Sequence, residues 1–131
     1  MHMKLELVPI PVSDVDRAKS FYIDKAGFEC DLDVQPSDGM RVVQLTPPGS
    51  ACSIVIGTGL GELSDVSPGT TKGLHLVVDD IAQAREELLQ RGVDIGDIDD
   101  TGQGVKYARF ADPDGNSMLL QEMSWRTGDN F

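Results

Sequence analysis

The sequence predicts an α+β fold, one domain over residues 1–131 made of two successive βαβββ modules whose curved sheets leave a central cleft. Two observations carry this expectation. "VSDVDRA" at 12–18 and "VDDIAQA" at 78–84 state one pattern twice, 66 residues apart, each after an apolar strand-like run. Behind each come three short alternating segments separated by Gly, Pro and Asp clusters, so module one covers 4–57, a crossover 58–72 and module two 73–123.

"KLELVPIPV" at 4–12 is the first strand, and Asp14 then caps a helix whose stripe is Val15, Ala18, Phe21 and Tyr22. Gly27 stands where the helix needs a left-handed residue to stop. Three strands follow, "FECDLDV" at 28–34, "MRVVQLT" at 40–46 and "ACSIVIG" at 51–57, divided by "QPSDG" and "PPGS". The segment "TGLGELSDVSPGTTK" at 58–72 is polar and glycine-rich, a surface crossover. The second copy runs in the same order: "GLHLVV" at 73–78, a helix capped by Asp80 with Ile81, Ala84 and Leu88, a stop at Gly92, then "VDIGDI" at 93–98, "VKYARFA" at 105–111 and "NSMLLQE" at 116–122. Each helix can cover one face of its sheet, and the other faces are left to pair or curl about the cleft.

Composition narrows the partners. The chain has 22 acidic residues against 11 Lys and Arg, a net charge of −11, which repels nucleic acid. No apolar run is long enough to span a membrane and no basic-then-apolar leader is present, so a cytoplasmic protein is expected. Met1 and His2 ahead of Met3 resemble an expression remnant, and His2 is given no role. Cys30 and Cys52 are expected as small core hydrophobes, since no neighbouring motif would activate a thiol. The acidic run Asp94, Asp97, Asp99 and Asp100 reads as a solvated edge.

Two local motifs invite stronger readings and fail on spacing. Asp112, Asp114 and Asn116 alternate as calcium ligands do, but Gly115 comes one place early and Met123 stands where a bidentate Glu is required. "GTGLG" at 57–61 resembles a phosphate-cradling loop without the helix such a loop must open. No Ser, His and Asp set stands in a nucleophile-elbow context.

The doubled order, "PVSDVDRAKSFY" after the first strand, "LVVDDIAQAREEL" after the fifth and "FADPDGN" before the last resemble the vicinal oxygen chelate superfamily of glyoxalases, bleomycin-resistance proteins and ring-cleaving dioxygenases, over nearly the whole chain. In metal-using members, the resemblance implies, two His and two Glu from the first and last strands of each module hold a divalent ion, with positions left open for substrate oxygens. Carried over, these positions fall on Leu7, Gly73, Leu119 and Val55, or Ser53 if the hairpin slips by two. No metal and no cofactor is therefore expected, and the "DPDG" turn serves to complete the sheet.

By strand alternation, His75 shares the face of Gly73, Gln121 that of Leu119 and Ser53 that of Val55, while Tyr107 and Arg109 lie opposite Phe110. The expected ligand-binding set is Leu7, Ser53, Val55, His75, Tyr107, Arg109, Leu119 and Gln121, with His75 as the candidate catalytic residue. Two readings stay open. The preferred one is a metal-independent binder of a small, antibiotic-like organic molecule, planar or cationic; the other is an enzyme of the glyoxalase or dioxygenase kind. Exposed sheet edges and the family resemblance also imply a homodimer.

Overall fold

The structure, a computed structural model, describes all 131 residues. It holds two four-stranded mixed sheets and two short α-helices. The chain divides into two compact units: Met1–Thr71 with Asp112–Asn116, and Lys72–Ala111 with Ser117–Phe131.

The first unit is built on strands β1 (Leu7–Pro9), β2 (Glu29–Ser37), β3 (Met40–Thr46) and β4 (Ser53–Thr58), in spatial order β1-β4-β3-β2. β1 runs parallel to β4 and the remaining pairs are antiparallel. Helix α1 (Val15–Ser20) starts at Asp14, whose carboxylate accepts the Arg17 backbone N–H at 3.0 Å. From Phe21 the helix widens into a π-turn, Phe21–Lys25, with the Ala26 N–H reaching Phe21 five residues back, and Gly27 closes it at φ 78°. Helix and sheet bury Val15, Ala18, Tyr22 and Phe28 with Val43, Leu45, Ile54 and Ile56. Each aliphatic side chain so buried contributes about 1.5–3 kcal/mol.

The second unit repeats the plan. Strands β5 (Leu74–Val77), β6 (Asp99–Asp100), β7 (Val105–Ala111) and β8 (Ser117–Met123) stand in order β5-β8-β7-β6, again with the outer first strand parallel. Helix α2 (Ile81–Gln90) is capped by Asp80, which accepts the Gln83 N–H at 3.1 Å. Ile81 and Leu88 are buried with Ala108, Phe110, Met118 and Leu120.

Three expectations need correction. Residues 93–98 form no strand: Val93 and Ile95 are buried as their alternation implies, but Gly96 makes only one ladder bond, its N–H to the Arg109 carbonyl, and pairing resumes at Asp99–Asp100. β2 runs on through Pro36 to Ser37, which an outermost strand permits because its free side asks for no N–H. Cys30 lies exposed on that strand and Cys52 is only half-buried, so neither is a core residue. The crossover, for its part, holds a 3₁₀ turn at Gly61–Asp65.

Candidate functional sites on the two sheet faces

In the first unit the expected residues fall together. Leu7 lies opposite Ser53, Pro9 opposite Val55, and Gln44 opposite Val55 on the other side, so Leu7, Ser53, Val55 and Gln44 project from the face away from α1. Ser53 and Val55 are nearly covered, at 6% and 8% exposure. The Ser53 hydroxyl is also committed. Thr46 donates to the Asp31 carboxylate, which can only accept, so Ser53 donates to Thr46 at 2.6 Å and accepts from Gln44 Nε2 at 3.2 Å. Gln44, Thr46 and Asp31 were missed in the sequence, although alternation past the buried Val43 and Leu45 places Gln44 and Thr46 on this face.

In the second unit two rungs cross the sheet on the face away from α2. One is His75, Leu119 and Arg109; the other is Val77, Gln121, Tyr107 and Asp99. The His75 and Tyr107 rings, rooted on strands either side of β8, meet edge to face with centroids 5.8 Å apart. His75 Nδ1 is 2.6 Å from the Gly73 carbonyl, and Gln121 Nε2 is 3.4 Å from the Tyr107 hydroxyl. His75 and Arg109 are exposed, while Tyr107, Leu119 and Gln121 are half-buried.

The register settles which position matches which between modules. Leu7 pairs with Ser53, and its counterpart Gly73 donates its N–H to Ser117 Oγ at 2.9 Å; two residues on, Pro9 pairs with Val55 and His75 with Leu119. Val55, not Ser53, is thus the counterpart of Leu119. The four positions to which the resemblance assigns a metal are then Leu7, Val55, Gly73 and Leu119, none with a side-chain donor, and no group of three or more His, Cys, Asp or Glu lies together elsewhere. The residues present do not fit that ion.

The acidic turn serves another purpose. Asp112 is buried and accepts four hydrogen bonds: from the Asp114 N–H (2.9 Å), the Asn116 N–H (3.0 Å), Asn116 Nδ2 (2.8 Å) and the Tyr22 hydroxyl (2.8 Å). Asn116 Nδ2 also reaches the Pro11 carbonyl, its Oδ1 accepts the Thr71 N–H, and Asp114 accepts from the Ser13 N–H and hydroxyl. Burial, then the adjoining Asp112 charge, pushes the Tyr22 phenol far above its ordinary value, so it stays a donor. Beyond delivering β8, the turn is an integral part of the first unit.

Two cavities lie in the first unit, and neither is lined by a residue of the two rungs. One of about 590 Å³ sits among Asp14, Asp16, Asp38 and Arg41 beside the β2–β3 hairpin; another of about 230 Å³ lies under Leu60, Leu63 and Val66. In the first, Arg41 is taken by Asp16 and, through two hydrogen bonds, by Asp33, to which Lys19 adds a third.

Residues 4–119 match the model of the Glyoxalase/Bleomycin resistance protein/Dioxygenase superfamily. The chain belongs to this superfamily. Among solved structures it is similar to TnmS3, an antibiotic binding protein from Streptomyces sp. CB03234, at 34% identity over 94% of this chain and 98% of that one, with a TM-score of 0.80. A glyoxalase/bleomycin resistance protein from the same organism is 35% identical over 89% and 98%, with a TM-score of 0.75. A superfamily member from Sphaerobacter thermophilus DSM 20745 is 32% identical over 92% and 98%, at 0.80. No curated protein matches the chain. No helix of this superfamily member is long and apolar enough to cross a membrane.

Proposed function

We propose that the chain binds a small, antibiotic-like organic molecule without a metal, using the helix-free sheet faces and above all His75, Tyr107, Arg109, Leu119 and Gln121. The observation that carries this is the replacement of every metal-holding position by Leu7, Val55, Gly73 and Leu119, on faces that keep aromatic and hydrogen-bonding side chains. The likeness to a protein described as antibiotic binding supports it. Elemental analysis after dialysis is expected to find no stoichiometric divalent ion. A thermal-shift screen of aromatic and glycopeptide antibiotics should give melting points that rise with the logarithm of ligand excess, the compound being recovered unchanged. One equivalent of zinc, nickel, manganese or iron, or consumption of the compound, refutes the reading.

The second reading, an enzyme acting on a small organic substrate, draws on one feature. His75 is exposed with Nδ1 held by the Gly73 carbonyl, an orientation that leaves Nε2 to exchange a proton. His75→Gln separates the two: a base predicts lost turnover with binding kept, a binder weaker binding with nothing turned over. The homodimer proposal rests on the nine-residue outer strand β2, which is exposed throughout and presents Leu32 (37% exposed) and Val34 (46%). Light scattering at micromolar concentration should give twice the chain mass, and a monomer refutes it.

A further inference from the structure

The chain has twice as many acids as bases, and five bases, Arg17, Lys19, Arg41, Arg85 and Lys106, are paired with carboxylates in the structure. Arg109 is not. It projects from the His75–Leu119–Arg109 rung with its guanidinium free of any ion pair or hydrogen bond; Asp97, next to the Gly96 whose N–H bonds the Arg109 carbonyl, is engaged by Arg85 instead, and Asp99, the one acid paired into this face, lies opposite Tyr107. At the other end of the rung the His75 tautomer is determined. A carbonyl oxygen has no proton to give, so the 2.6 Å contact to Gly73 puts the hydrogen on Nδ1, and the neutral ring offers only a lone pair at Nε2. This face therefore presents a cation able to grip a paired-oxygen anion, an acceptor that requires a donor, and between them the aliphatic surface of Leu119 beside the Tyr107 ring.

Resting on the binding reading above, we infer that the second-unit sheet face selects a flat organic acid carrying a separate hydroxyl: the acid oxygens at Arg109, the hydroxyl donating to His75 Nε2, and the planar body over Leu119 against Tyr107. Strands lie about 4.8 Å apart, which puts β5 and β7 roughly 10 Å from each other, a span on the scale of two fused rings with substituents at opposite ends. The overall acidity of the chain alone favours a cationic ligand; on the His75–Leu119–Arg109 rung the local arrangement reverses that preference, because a cation there would meet the guanidinium, and the one carboxylate of this face, Asp99, stands on the neighbouring rung beyond Tyr107.

The probes are 6-hydroxy-2-naphthoate, its 6-methoxy ether, its 2-carboxamide and the corresponding 2-amidine, titrated by calorimetry into the full chain and into Arg109→Gln and His75→Phe. The acid is expected to bind the unaltered protein at least tenfold more tightly than the carboxamide and at least threefold more tightly than the ether. Arg109→Gln should abolish the first preference and keep the second, and His75→Phe the converse, with melting points confirming that both variants fold. Carboxamide binding equal to acid, preferences that survive both substitutions, or no binding by any probe overturns the ligand class. Preference for the amidine, lost in these variants, overturns the class while leaving the binding reading intact; a probe chemically altered during titration refutes the binding reading itself.

Discussion

Tyr22→Phe removes one oxygen from the interior and leaves the rest of the ring in place. Tyr22 is 0% exposed and its hydroxyl lies 2.8 Å from Asp112, so the substitution deletes a buried hydrogen bond to a carboxylate, worth about 1.5–3 kcal/mol. Asp112 keeps three other donors, the Asp114 and Asn116 N–H groups and Asn116 Nδ2, which sets the expectation near the lower end, about 1.5–2 kcal/mol. With a urea slope of about 1–3 kcal/mol per molar, the unfolding midpoint should fall by about 1 M. Asp112→Ala strands all four donors at once and should cost about 4 kcal/mol or more. The phenol adds a pH signature. Its folded pKa lies above its ordinary value of 10.0, so its contribution is complete below pH 10 and is lost above it, as the unfolded chain sheds a proton that the folded chain retains. The native protein should lose about 1.4 kcal/mol per pH unit above 10 from this group, and Tyr22→Phe should show a shallower alkaline limb. Urea melts followed by circular dichroism at pH 7 through 11 make the comparison. An unchanged midpoint at pH 7, or the same alkaline slope in both proteins, refutes the account of this turn.

Asp33 is held below the usual carboxylate range by hydrogen bonds from Arg41 and then Lys19, so its contribution is present above about pH 3.9 and fades as the pH falls further. Because its side chain is 24% exposed, Asp33→Asn should cost only about 1 kcal/mol at pH 7, a difference that shrinks in molar salt and closes in acid; a constant difference from pH 7 to 2 would contradict this. Gly57→Ala would put a Cβ 1.9 Å from the Arg41 carbonyl oxygen, forcing β4 from β3 at a cost of about 3 kcal/mol or more, whereas Gly92→Ala meets open space and pays only for its φ of 85°, about 1 kcal/mol. Equal melting points for the two glycine variants would contradict the steric argument.

Much of the fold was legible because its determinants are local. Strands 40–46 and 105–111 coincide with β3 and β7, where alternating apolar residues are bounded by turn-forming ones, and both helix caps, Asp14 and Asp80, act where spacing places them. Residues 93–98 misled because burial alternation and ladder pairing are separate properties: Val93 and Ile95 face inward without a regular partner strand. The membership of a face followed from the two-residue strand period, which places His75, Leu119 and Arg109 on one rung. What each hydroxyl or carboxylate is committed to did not, because Ser53 to Thr46 and Asp112 to Tyr22 are tertiary choices. One clue to the latter was available: a tyrosine in the buried stripe of a helix needs a partner for its hydroxyl.

The composition of the first unit has a consequence for the order in which the protein can be made. Synthesis delivers residues 1–71 ahead of residues 112–116, yet the Tyr22 hydroxyl and the Thr71 N–H find their partners only in the later segment. A nascent chain paused after Thr71 carries the Tyr22 phenol with nothing to satisfy its hydroxyl, while the Pro11 carbonyl keeps the Gly69 N–H. The first unit therefore has to wait, incompletely bonded, until residues 112–116 have been made, and such long-separated contacts make for slow closure.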